Sequence, residues 1–268
     1  MSPQIHVHVL ASGSKGNATI IEGPEGYVLI DCGISLRSLR SRAAELGLDL
    51  ADVRAVLVTH EHSDHVSGLS VLCNHYEGPL YATAGTVGAR DYLGNLGFDL
   101  IEREDELDLA GMRVSVFPTS HDVADPVAFR FQTDDDTVGY CTDTGVLTPL
   151  AHGLLHGCRI LALEANHDVQ MLRNGPYPAF LKRRVGGEKG HLSNDQAAEA
   201  LGDLVTDATQ TVIAMHISQK NNRPSTCVRT LAAAVGAEAA NSTFTEARTP
   251  DGMLTIVAAA QDRPLSVW

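Results

Sequence analysis

One short segment, Thr59-His60-Glu61-His62-Ser63-Asp64-His65, limits what this 268-residue chain can fold into. It brings three imidazoles and the Asp64 carboxylate within seven residues, after the apolar predicted strand Val56-Leu57-Val58. These groups cannot all pack in an apolar core, because each unpaired polar group buried there costs a few kcal/mol. A loop at the exposed end of a strand can instead fold around metal ions, and divalent Zn and Mn favour imidazole and carboxylate ligands. The alternative is a solvated polar loop.

A two-metal site needs further ligands, and the later sequence supplies them. His121, Asp143 and His216 each follow a predicted strand, at the point where that strand gives way to a loop. Functional side chains commonly lie on such loops, which a rigid scaffold holds at one edge of a sheet. The pattern therefore predicts a dinuclear metal site assembled along one edge.

Short β-branched segments bounded by Gly, Pro and Asp predict strands, and amphipathic segments predict helices. The predicted strands are Ile5–Leu10, Thr19–Glu22, Tyr27–Asp31, Ala55–Thr59, Met112–Phe117, Val127–Phe131, Thr137–Cys141, Ile160–Glu164, Thr211–Met215, Phe244–Arg248 and Met253–Val257. The predicted helices are Ser35–Leu46, Val66–His75, Thr86–Leu96, Asn194–Leu204 and Ser225–Val235, the fourth capped by a Ser193/Gln196 capping box. Runs of strands with interleaved helices indicate a layered α/β fold. Without repeats or low-complexity linkers, we expect a single domain over residues 1–268.

The histidine segment, His121, Asp143 and His216 resemble the successive metal motifs of the metallo-β-lactamase superfamily, and Asp31-Cys32-Gly33 matches its early motif. The resemblance covers nearly the whole chain and implies an αββα sandwich. It implies one divalent ion bound by His60, His62 and His121. It implies a second ion bound by Asp64, His65 and His216, with Asp143 bridging the two. We also count Asp64 among the catalytic residues.

Later segments narrow the resemblance to one group within the superfamily. The segments are Ser12–Asn17, Glu164–Asp168, Gly190–Asn194 and His216-Ile217-Ser218. They resemble the YycJ (WalJ)-type 5′→3′ DNA exonucleases, which are usually manganese-dependent and linked to mismatch repair, and more distantly ribonuclease Z. The resemblance implies two Mn²⁺ or Zn²⁺ ions that activate water for attack on phosphorus. It also implies a nucleic-acid partner, most simply DNA with a 5′ end.

Glu164 and His191 are not needed as metal ligands. Cleavage of a phosphodiester leaves an alkoxide that requires a proton, and a histidine held by a carboxylate is a good general acid near neutral pH. On the resemblance to ribonuclease Z, His191 would donate this proton and Glu164 would orient it. The alternative is that His191 only completes a hydrogen-bond network at the start of the helix after Ser193.

The sequence signals for substrate-binding residues are weaker than those for the metal ligands. Ser12–Asn17 is glycine-rich but lacks the P-loop spacing, although its backbone donors can still cradle a phosphate. The functional interpretation of His167 and Asp168 is that they orient ligands or contact substrate, and the alternative is a purely structural role. The segment Arg173–Gly190 is rich in Gly, Pro and basic residues, which predicts an excursion over the surface. The expected substrate-binding residues are Ser12, Ser14, Lys15, Asn17, His167, Ser218, Asn222 and Arg223.

Charge and cysteine usage bear on partner and compartment. The formal net charge of −13 opposes a nucleic-acid partner, and bound metal cations reduce that conflict without removing it. No apolar run approaches the ~20 residues of a membrane helix, and no signal pattern opens the sequence. The five scattered cysteines fit buried thiols in a reducing cytoplasm. The remaining histidines have no supporting pattern and are expected to be structural: His6, His8, His75, His152 and His156.

Two other functions remain open at the level of sequence. The acidity favours a small-molecule hydrolase, such as a thioesterase or lactonase, that uses the same dinuclear site. A non-catalytic, metal-dependent interaction protein is the other alternative. The ligand set argues against it, because a structural site saturates its metal rather than leaving a position open.

Overall fold

A computed structural model of the protein describes residues 5–268. The strands are β1 (His6–Ala11), β2 (Ala18–Gly23), β3 (Gly26–Ile30), β4 (Val53–Leu57), β5 (Leu80–Thr83), β6 (Asp99–Ile101), β7 (Glu106–Leu109), β8 (Met112–Pro118), β9 (Val127–Gln132), β10 (Thr137–Cys141), β11 (Ile160–Glu164), β12 (Thr211–Met215), β13 (Glu238–Ala239), β14 (Glu246–Arg248), β15 (Thr255–Ala258) and β16 (Leu265–Val267). The α-helices are α1 (Leu36–Glu45), α2 (Ser63–Val66), α3 (Leu69–Leu72), α4 (Ala84–Gly88), α5 (Pro149–Leu155), α6 (Val169–Asn174), α7 (Ala179–Val185), α8 (Asn194–Leu204) and α9 (Pro224–Val235). Short 3-10 helices cover Leu50–Asp52 and Leu93–Asn95.

The chain divides into two compact units. Unit 1 contains the described residues up to Pro118, together with Val123–Asp136 and Ala260–Trp268. Unit 2 contains Thr119–Asp122 and Thr137–Ala259. Each unit is built from segments that are distant in sequence. The expectation of a single domain over residues 1–268 stays a prediction.

The main sheet of unit 1 has the strand order β16-β1-β2-β3-β4-β5-β6. β1, β2 and β3 pair antiparallel, whereas β3 to β6 pair in parallel. Ile30 at the end of β3 lies opposite Leu57 at the end of β4. The carboxyl ends of parallel strands meet at one edge, so this register brings Asp31 beside the loop that starts at Val58. β7, β8 and β9 form an antiparallel meander in the same unit.

A continuous apolar cluster supports that edge of unit 1. Side chains of α1 and α3 pack against the strands, and the cluster includes Leu36, Leu39, Leu69, Leu72, Ile20, Leu29 and Val56. Burial of a Leu or Ile side chain stabilises the fold by about 1.5–3 kcal/mol. The histidine loop therefore leaves a strand whose base is fixed by packing.

The sheet of unit 2 has the strand order β13-β14-β15-β12-β11-β10, and β10, β11, β12 and β15 pair in parallel. Cys141 lies opposite Leu163, and Glu164 lies opposite Met215. The three strand ends that carry Asp143, Glu164 and His216 therefore meet at one edge. Asp143 and His216, two of the residues expected at one edge of a sheet, therefore lie at the same edge within this unit.

Two helices of unit 2 show how local sequence fixes their ends. Ser193 caps α8, and both hydrogen bonds of the predicted capping box with Gln196 are present. α9 begins at Pro224, whose missing N–H costs nothing because the first turn has no intrahelical partner for it. The helix ends at Val235 and is followed by Gly236, which adopts the left-handed region with φ 68°.

Two predicted helices differ substantially from the structure. The predicted helix Val66–His75 is split around Gly68 into α2 and α3, because Gly68 lies against the backbone of Cys32 and Ile34, where an added Cβ would meet Ile34 O at 2.1 Å. The predicted helix Thr86–Leu96 is wrong beyond Gly88, where α4 ends.

The segment Arg173–Gly190 is predicted to be a basic excursion over the surface. It contains the helix α7, and most of its residues are exposed as expected.

Among the residues that the structure describes, no helix combines the length and the apolar character that crossing a membrane requires.

Gly33 packs closely against the backbone of the histidine loop at Asp64 and against the backbone of Asn17. A Cβ on Gly33 would lie 1.6 Å from Asp64 O and 2.7 Å from Asn17 N. We expect Gly33→Ala to lower the free energy of unfolding by about 2 kcal/mol, because backbone must move to admit the methyl group.

Gly202 is the matched control, since it is exposed within α8 and an added Cβ there would meet nothing within 4 Å. Gly202→Ala should raise the free energy of unfolding by about 0.5–1 kcal/mol, because alanine favours a helix. Urea unfolding of both variants measures the two effects. Equal effects of the same sign would contradict the crowding at Gly33.

Candidate functional site

Asp31 organises the histidine loop of unit 1. Its side chain is fully buried, and its backbone adopts φ 59° immediately after β3. Oδ1 accepts a hydrogen bond from Thr59 N at 2.8 Å, while Oδ2 accepts from Thr59 Oγ1 at 2.8 Å and from His65 Nδ1 at 2.7 Å. The early motif Asp31-Cys32-Gly33 therefore orients a histidine of the later motif.

His65 and His60 are both fixed in one tautomer by these bonds. His65 donates from Nδ1 to Asp31, which leaves Nε2 as an acceptor. Because Thr59 Oγ1 donates to Asp31, it accepts from His60 Nδ1 at 3.0 Å, which again leaves Nε2 as an acceptor. A histidine whose second ring nitrogen donates to a protein acceptor is the form that binds metals. Both rings are buried.

The ligand atoms of this loop lie close together. His60 Nε2 is 3.1 Å from His62 Nδ1, and His65 Nε2 is 3.6 Å from Asp64 Oδ2. Two ligands on one tetrahedral Zn²⁺ at 2.0–2.1 Å are about 3.3 Å apart, so these spacings fit ligands of shared ions. Glu61 takes no part in this group, since its Oε1 accepts from Ala124 N at 2.9 Å.

Asp143 is the centre of the cluster in unit 2. It lies two residues after β10, is buried, and adopts φ 56°. Its Oδ1 is 3.9 Å from His121 Nε2, 3.7 Å from His191 Nδ1 and 3.6 Å from His216 Nδ1. The rings of His191 and His216 stack with centroids 5.3 Å apart. Three imidazoles thus surround one carboxylate oxygen.

Glu164 holds two of these imidazoles. It is fully buried at the end of β11, and its Oε1 accepts from His191 Nδ1 at 2.8 Å and from His216 Nδ1 at 3.2 Å. Oε2 accepts from Thr144 N at 3.0 Å and Leu192 N at 3.1 Å. Burial alone would raise the pKa of the Glu164 carboxyl, but the charges and hydrogen bonds of His191 and His216 lower it.

His121 is oriented in the same way by a backbone group. Its Nδ1 donates to Gly190 O at 2.9 Å, so Nε2 faces Asp143. Burial lowers the pKa of His121 against the opposing effect of Asp143, which keeps the ring in the neutral, ligating form. Within unit 2, ligand atoms of Asp143, Glu164, His191 and His216 all lie within 4.8 Å of one another. Of these four, Asp143 and His216 are the expected metal ligands, whereas Glu164 accepts hydrogen bonds from His191 and His216.

Strained backbone marks the same positions. Asp31, Asp143 and His216 are non-glycine residues with φ of 59°, 56° and 53°. Such conformations cost on the order of 1–3 kcal/mol each and cluster at functional sites. Each lies just beyond the end of a strand, where the chain turns and presents its side chain.

Comparison with known proteins decides the family. Residues 27–217 match the family described as the β-lactamase superfamily domain. The chain is 37% identical to exodeoxyribonuclease YycJ of Bacillus anthracis over 222 residues, which cover 81% of this chain and 84% of that protein. The chain belongs to the metallo-β-lactamase superfamily, in the family of YycJ and WalJ.

Further comparisons agree with this family. Exodeoxyribonuclease WalJ of Streptococcus pneumoniae is 36% identical over 220 residues, which cover 80% of this chain and 82% of that protein. A ribonuclease Z of Methanopyrus kandleri matches 42% of the chain and 43% of its own length at 35% identity. The solved structure of the metallo-β-lactamase fold protein YhfI of Bacillus subtilis has a TM-score of 0.69 at 13% identity, covering 98% of this chain and 99% of that chain. The predicted metallo-β-lactamase fold and the YycJ (WalJ) resemblance are confirmed.

The structure gives the residues expected to contact substrate different surroundings. Ser14, Lys15 and Arg223 are exposed. Ser12 is buried, and Ser218 Oγ accepts from Asn221 N at 3.1 Å. Asn17 is buried in unit 1, where its Nδ2 lies 3.0 Å from His65 Nε2 and donates to Asp64 O at 3.3 Å.

Two further residues of that set are buried in unit 2. Asn222 donates from Nδ2 to Ala165 O, Asn166 O and Asn194 Oδ1, so its amide links the segment Ala165–Asn166 to the side chain of Asn194. His167 is 2% exposed, and its Nδ1 has no hydrogen-bond partner among the residues that the structure describes. These surroundings favour positioning roles for Asn17 and Asn222.

Some positioning residues were not singled out from the sequence. Asn166 donates to His216 O at 2.8 Å, and the Gly190 carbonyl orients His121. Asn166 lies within the segment Glu164–Asp168, so proximity to a motif was an available signal. The Gly190 contact is made by backbone, which residue type does not reveal.

The basic excursion contributes less positive charge to a partner than its composition indicates. The guanidinium of Arg184 forms an ion pair with Asp122, in which Nη2 donates to Oδ1 at 3.1 Å. Lys182 Nζ donates to Arg173 O at 2.8 Å. The net charge of −13 therefore still opposes a broad phosphate-binding surface.

The buried His167 makes stability depend on pH in acid. Burial lowers its pKa from 6.5 to about 4, so below pH 6.5 the unfolded chain binds a proton that the folded chain does not. Stability from this group is complete above about pH 6.5 and is lost as pH falls toward 4, by up to about 3 kcal/mol.

The difference in unfolding free energy between wild type and His167→Gln should therefore shrink over the same pH range. Urea unfolding from pH 7.5 to pH 4 measures this difference. Exposed His75, substituted by Gln, is the matched control and should leave the pH profile unchanged. A wild-type minus His167→Gln difference that stays constant with pH would contradict the neutral, buried state of His167.

Proposed function

We propose that this protein is a metal-dependent exodeoxyribonuclease that removes nucleotides from a 5′ end of DNA. The observation that carries the proposal is the His191–Glu164 pair, with Nδ1 and Oε1 2.8 Å apart, beside Asp143. Metal binding alone does not need this pair, whereas phosphodiester cleavage needs a proton donor for the departing oxygen. The names of the relatives YycJ and WalJ support the same activity.

The proposed metal ligands are those expected from the sequence: His60, His62, Asp64, His65, His121, Asp143 and His216. The chemistry of these donors supports the assignment. His60, His65, His121 and His216 each donate from Nδ1 to a protein acceptor, and in that tautomer the lone pair that can bind a cation is on Nε2. We propose two divalent ions, Mn²⁺ or Zn²⁺, since sites of imidazole and carboxylate bind both.

When bound, such ions lower the pKa of water and stabilise charge that develops on the phosphate. The chain's own part is to place and move protons. His191 holds a proton on Nε2 for the departing 3′-oxygen, while Nδ1 donates to Glu164. Glu164 stays ionised and keeps the ring fixed, because its second oxygen is held by two backbone N–H groups. Asp64 completes the catalytic set as a ligand beside His65.

We also propose a reducing compartment, the cytoplasm. All five cysteines are free, and Cys32, Cys141, Cys158 and Cys227 are buried. Structural disulfides are rare in reducing compartments, where such thiols pack as small apolar side chains. A role in mismatch repair rests on the family resemblance and stays a prediction.

The activity is tested on duplex DNA labelled at either the 5′ or the 3′ end. We expect stepwise release of nucleotides from the 5′ end with Mn²⁺, and no cleavage in EDTA. Asp143→Asn should abolish cleavage, because the variant loses a charged ligand that three imidazoles surround. Asp203→Asn is the matched control, since this carboxylate is exposed on α8.

Two results would overturn parts of this proposal. Full turnover by Asp143→Asn would reject the assigned site. Hydrolysis of thioesters or lactones by a metallated protein that leaves DNA and RNA intact would instead establish the small-molecule hydrolase, which the acidic net charge favours.

The proton-donor role of His191 has its own test. We expect His191→Asn to lower kcat by about 10²–10⁴-fold, since general acid catalysis contributes about this factor. Bound metal, measured by elemental analysis, should be unchanged. DNA with sulfur in place of the bridging 3′-oxygen needs no proton on its leaving group, so the variant should cleave it at nearly the wild-type rate. A loss of equal size on both substrates would contradict proton donation.

A further inference from the structure

A second group of histidines lies on the sheet of unit 1. His6 and His8 are separated by two positions on β1, so both side chains leave the same face of the sheet. Glu22 on β2 lies directly opposite His6, and Ser266 on β16 lies directly opposite His8. Strand register therefore brings the two imidazoles and the carboxylate together.

The contacts converge on one carboxylate oxygen. Glu22 Oε2 is 3.0 Å from His6 Nδ1 and 2.9 Å from His8 Nε2. The ligand atoms of the three residues all lie within 4.8 Å of one another. On the other side of its ring, His8 Nδ1 is 2.8 Å from Ser266 Oγ.

We propose that His6, His8 and Glu22 form a further metal site, which binds one divalent ion of the zinc class. Two histidines and one glutamate are a ligand set that Zn²⁺ accepts, with ligand atoms about 3.3 Å apart on a tetrahedral ion. The distances of 2.9 and 3.0 Å require only a small movement of the half-buried side chains of His6 and Glu22. This site does not depend on the proposed nuclease function.

The hydrogen bond to Ser266 supports metal binding at His8. A metal-bound histidine donates its other ring N–H to a nearby acceptor, and Ser266 Oγ is placed to accept from Nδ1. In that tautomer Nε2 presents a lone pair to Glu22 Oε2, and a cation between the two acceptors removes their repulsion. Burial lowers the pKa of His8, which keeps the ring in the neutral form that a metal requires.

Exposure indicates how the ion enters. The side chain of His8 is fully buried, whereas those of His6 and Glu22 are 23% and 29% exposed. The three protein ligands thus form the floor of the site, and its open side faces solvent. An ion there can complete its coordination with water, and it ties β1 to β2 and, through Ser266, to β16.

Trp268 provides a local reporter. Its ring centroid is 4.8 Å from that of His6 and 5.5 Å from that of His8, and it is the single tryptophan of the chain. A paramagnetic ion such as Co²⁺ bound by His6 and His8 should quench tryptophan fluorescence at this range. Zn²⁺ is not paramagnetic and should reverse the quenching by competition.

The experiment is a Co²⁺ titration of the full chain with fluorescence detection. We expect saturable quenching that EDTA and Zn²⁺ reverse. Removal of even an indirect partner of a ligand weakens metal sites about 10–100-fold, so His6→Ala and Glu22→Gln should each weaken Co²⁺ binding at least tenfold. Equal unfolding midpoints in EDTA would show that both variants are folded.

His62→Ala is the control that separates the two kinds of site. It removes a ligand proposed for the nuclease but none proposed here, so its quenching curve should match that of wild type. Failure of quenching in wild type, or identical curves for wild type, His6→Ala and Glu22→Gln, would overturn the proposal. In that case the contacts of Glu22 with His6 and His8 are hydrogen bonds without a metal ion, and Ser266 Oγ donates to His8 Nδ1. Quenching lost in His62→Ala but kept in His6→Ala would also overturn it.

Discussion

Hydrogen bonds from imidazoles to buried carboxylates are the interaction on which both histidine clusters depend. Asp31 in unit 1 and Glu164 in unit 2 are fully buried, and burying an isolated carboxylate is strongly unfavourable. Each is compensated by hydrogen bonds on both oxygens: three for Asp31 and four for Glu164. Charge-assisted bonds of this kind are roughly twice as strong as neutral ones. The histidines are therefore fixed in tautomer and orientation before any ligand arrives.

The distances separate the carboxylates that orient histidines from those that are proposed to bind metal. Asp31 and Glu164 accept N–H groups at 2.7–3.2 Å, so they act on the histidines. Asp143 Oδ1 instead lies 3.9 Å from His121 Nε2, and Asp64 Oδ2 lies 3.6 Å from His65 Nε2. Those separations exceed hydrogen-bond lengths and fit groups that share an ion. The sequence motifs do not distinguish the two roles, because both use Asp or Glu after a strand.

Prediction from sequence succeeded where local pattern and final structure agree. The bounds of β10, β11, β12 and α8 were predicted to the residue, because short apolar strands and a capping box are local signals. The break at Gly68 was missed, because its cause is the approach of Cys32 and Ile34, more than thirty residues away. The predicted strand Phe244–Arg248 is shorter, since Phe244 adopts φ 52° and β14 starts only at Glu246.

His6 and His8 show most clearly what a sequence leaves undecided. Their spacing fixes that they share a face of β1, but it does not name their partner. Glu22 becomes that partner only through the register of β1 with β2, which shifts between Val9 and Ala11. A slip of one residue would point Glu22 to the opposite face, because side chains alternate along a strand. The histidine loop of the nuclease motif escapes this limit, because His60, His62, Asp64 and His65 lie within one short segment. Sites assembled by register therefore have to be found in the structure, even when each of their residues is visible in the sequence.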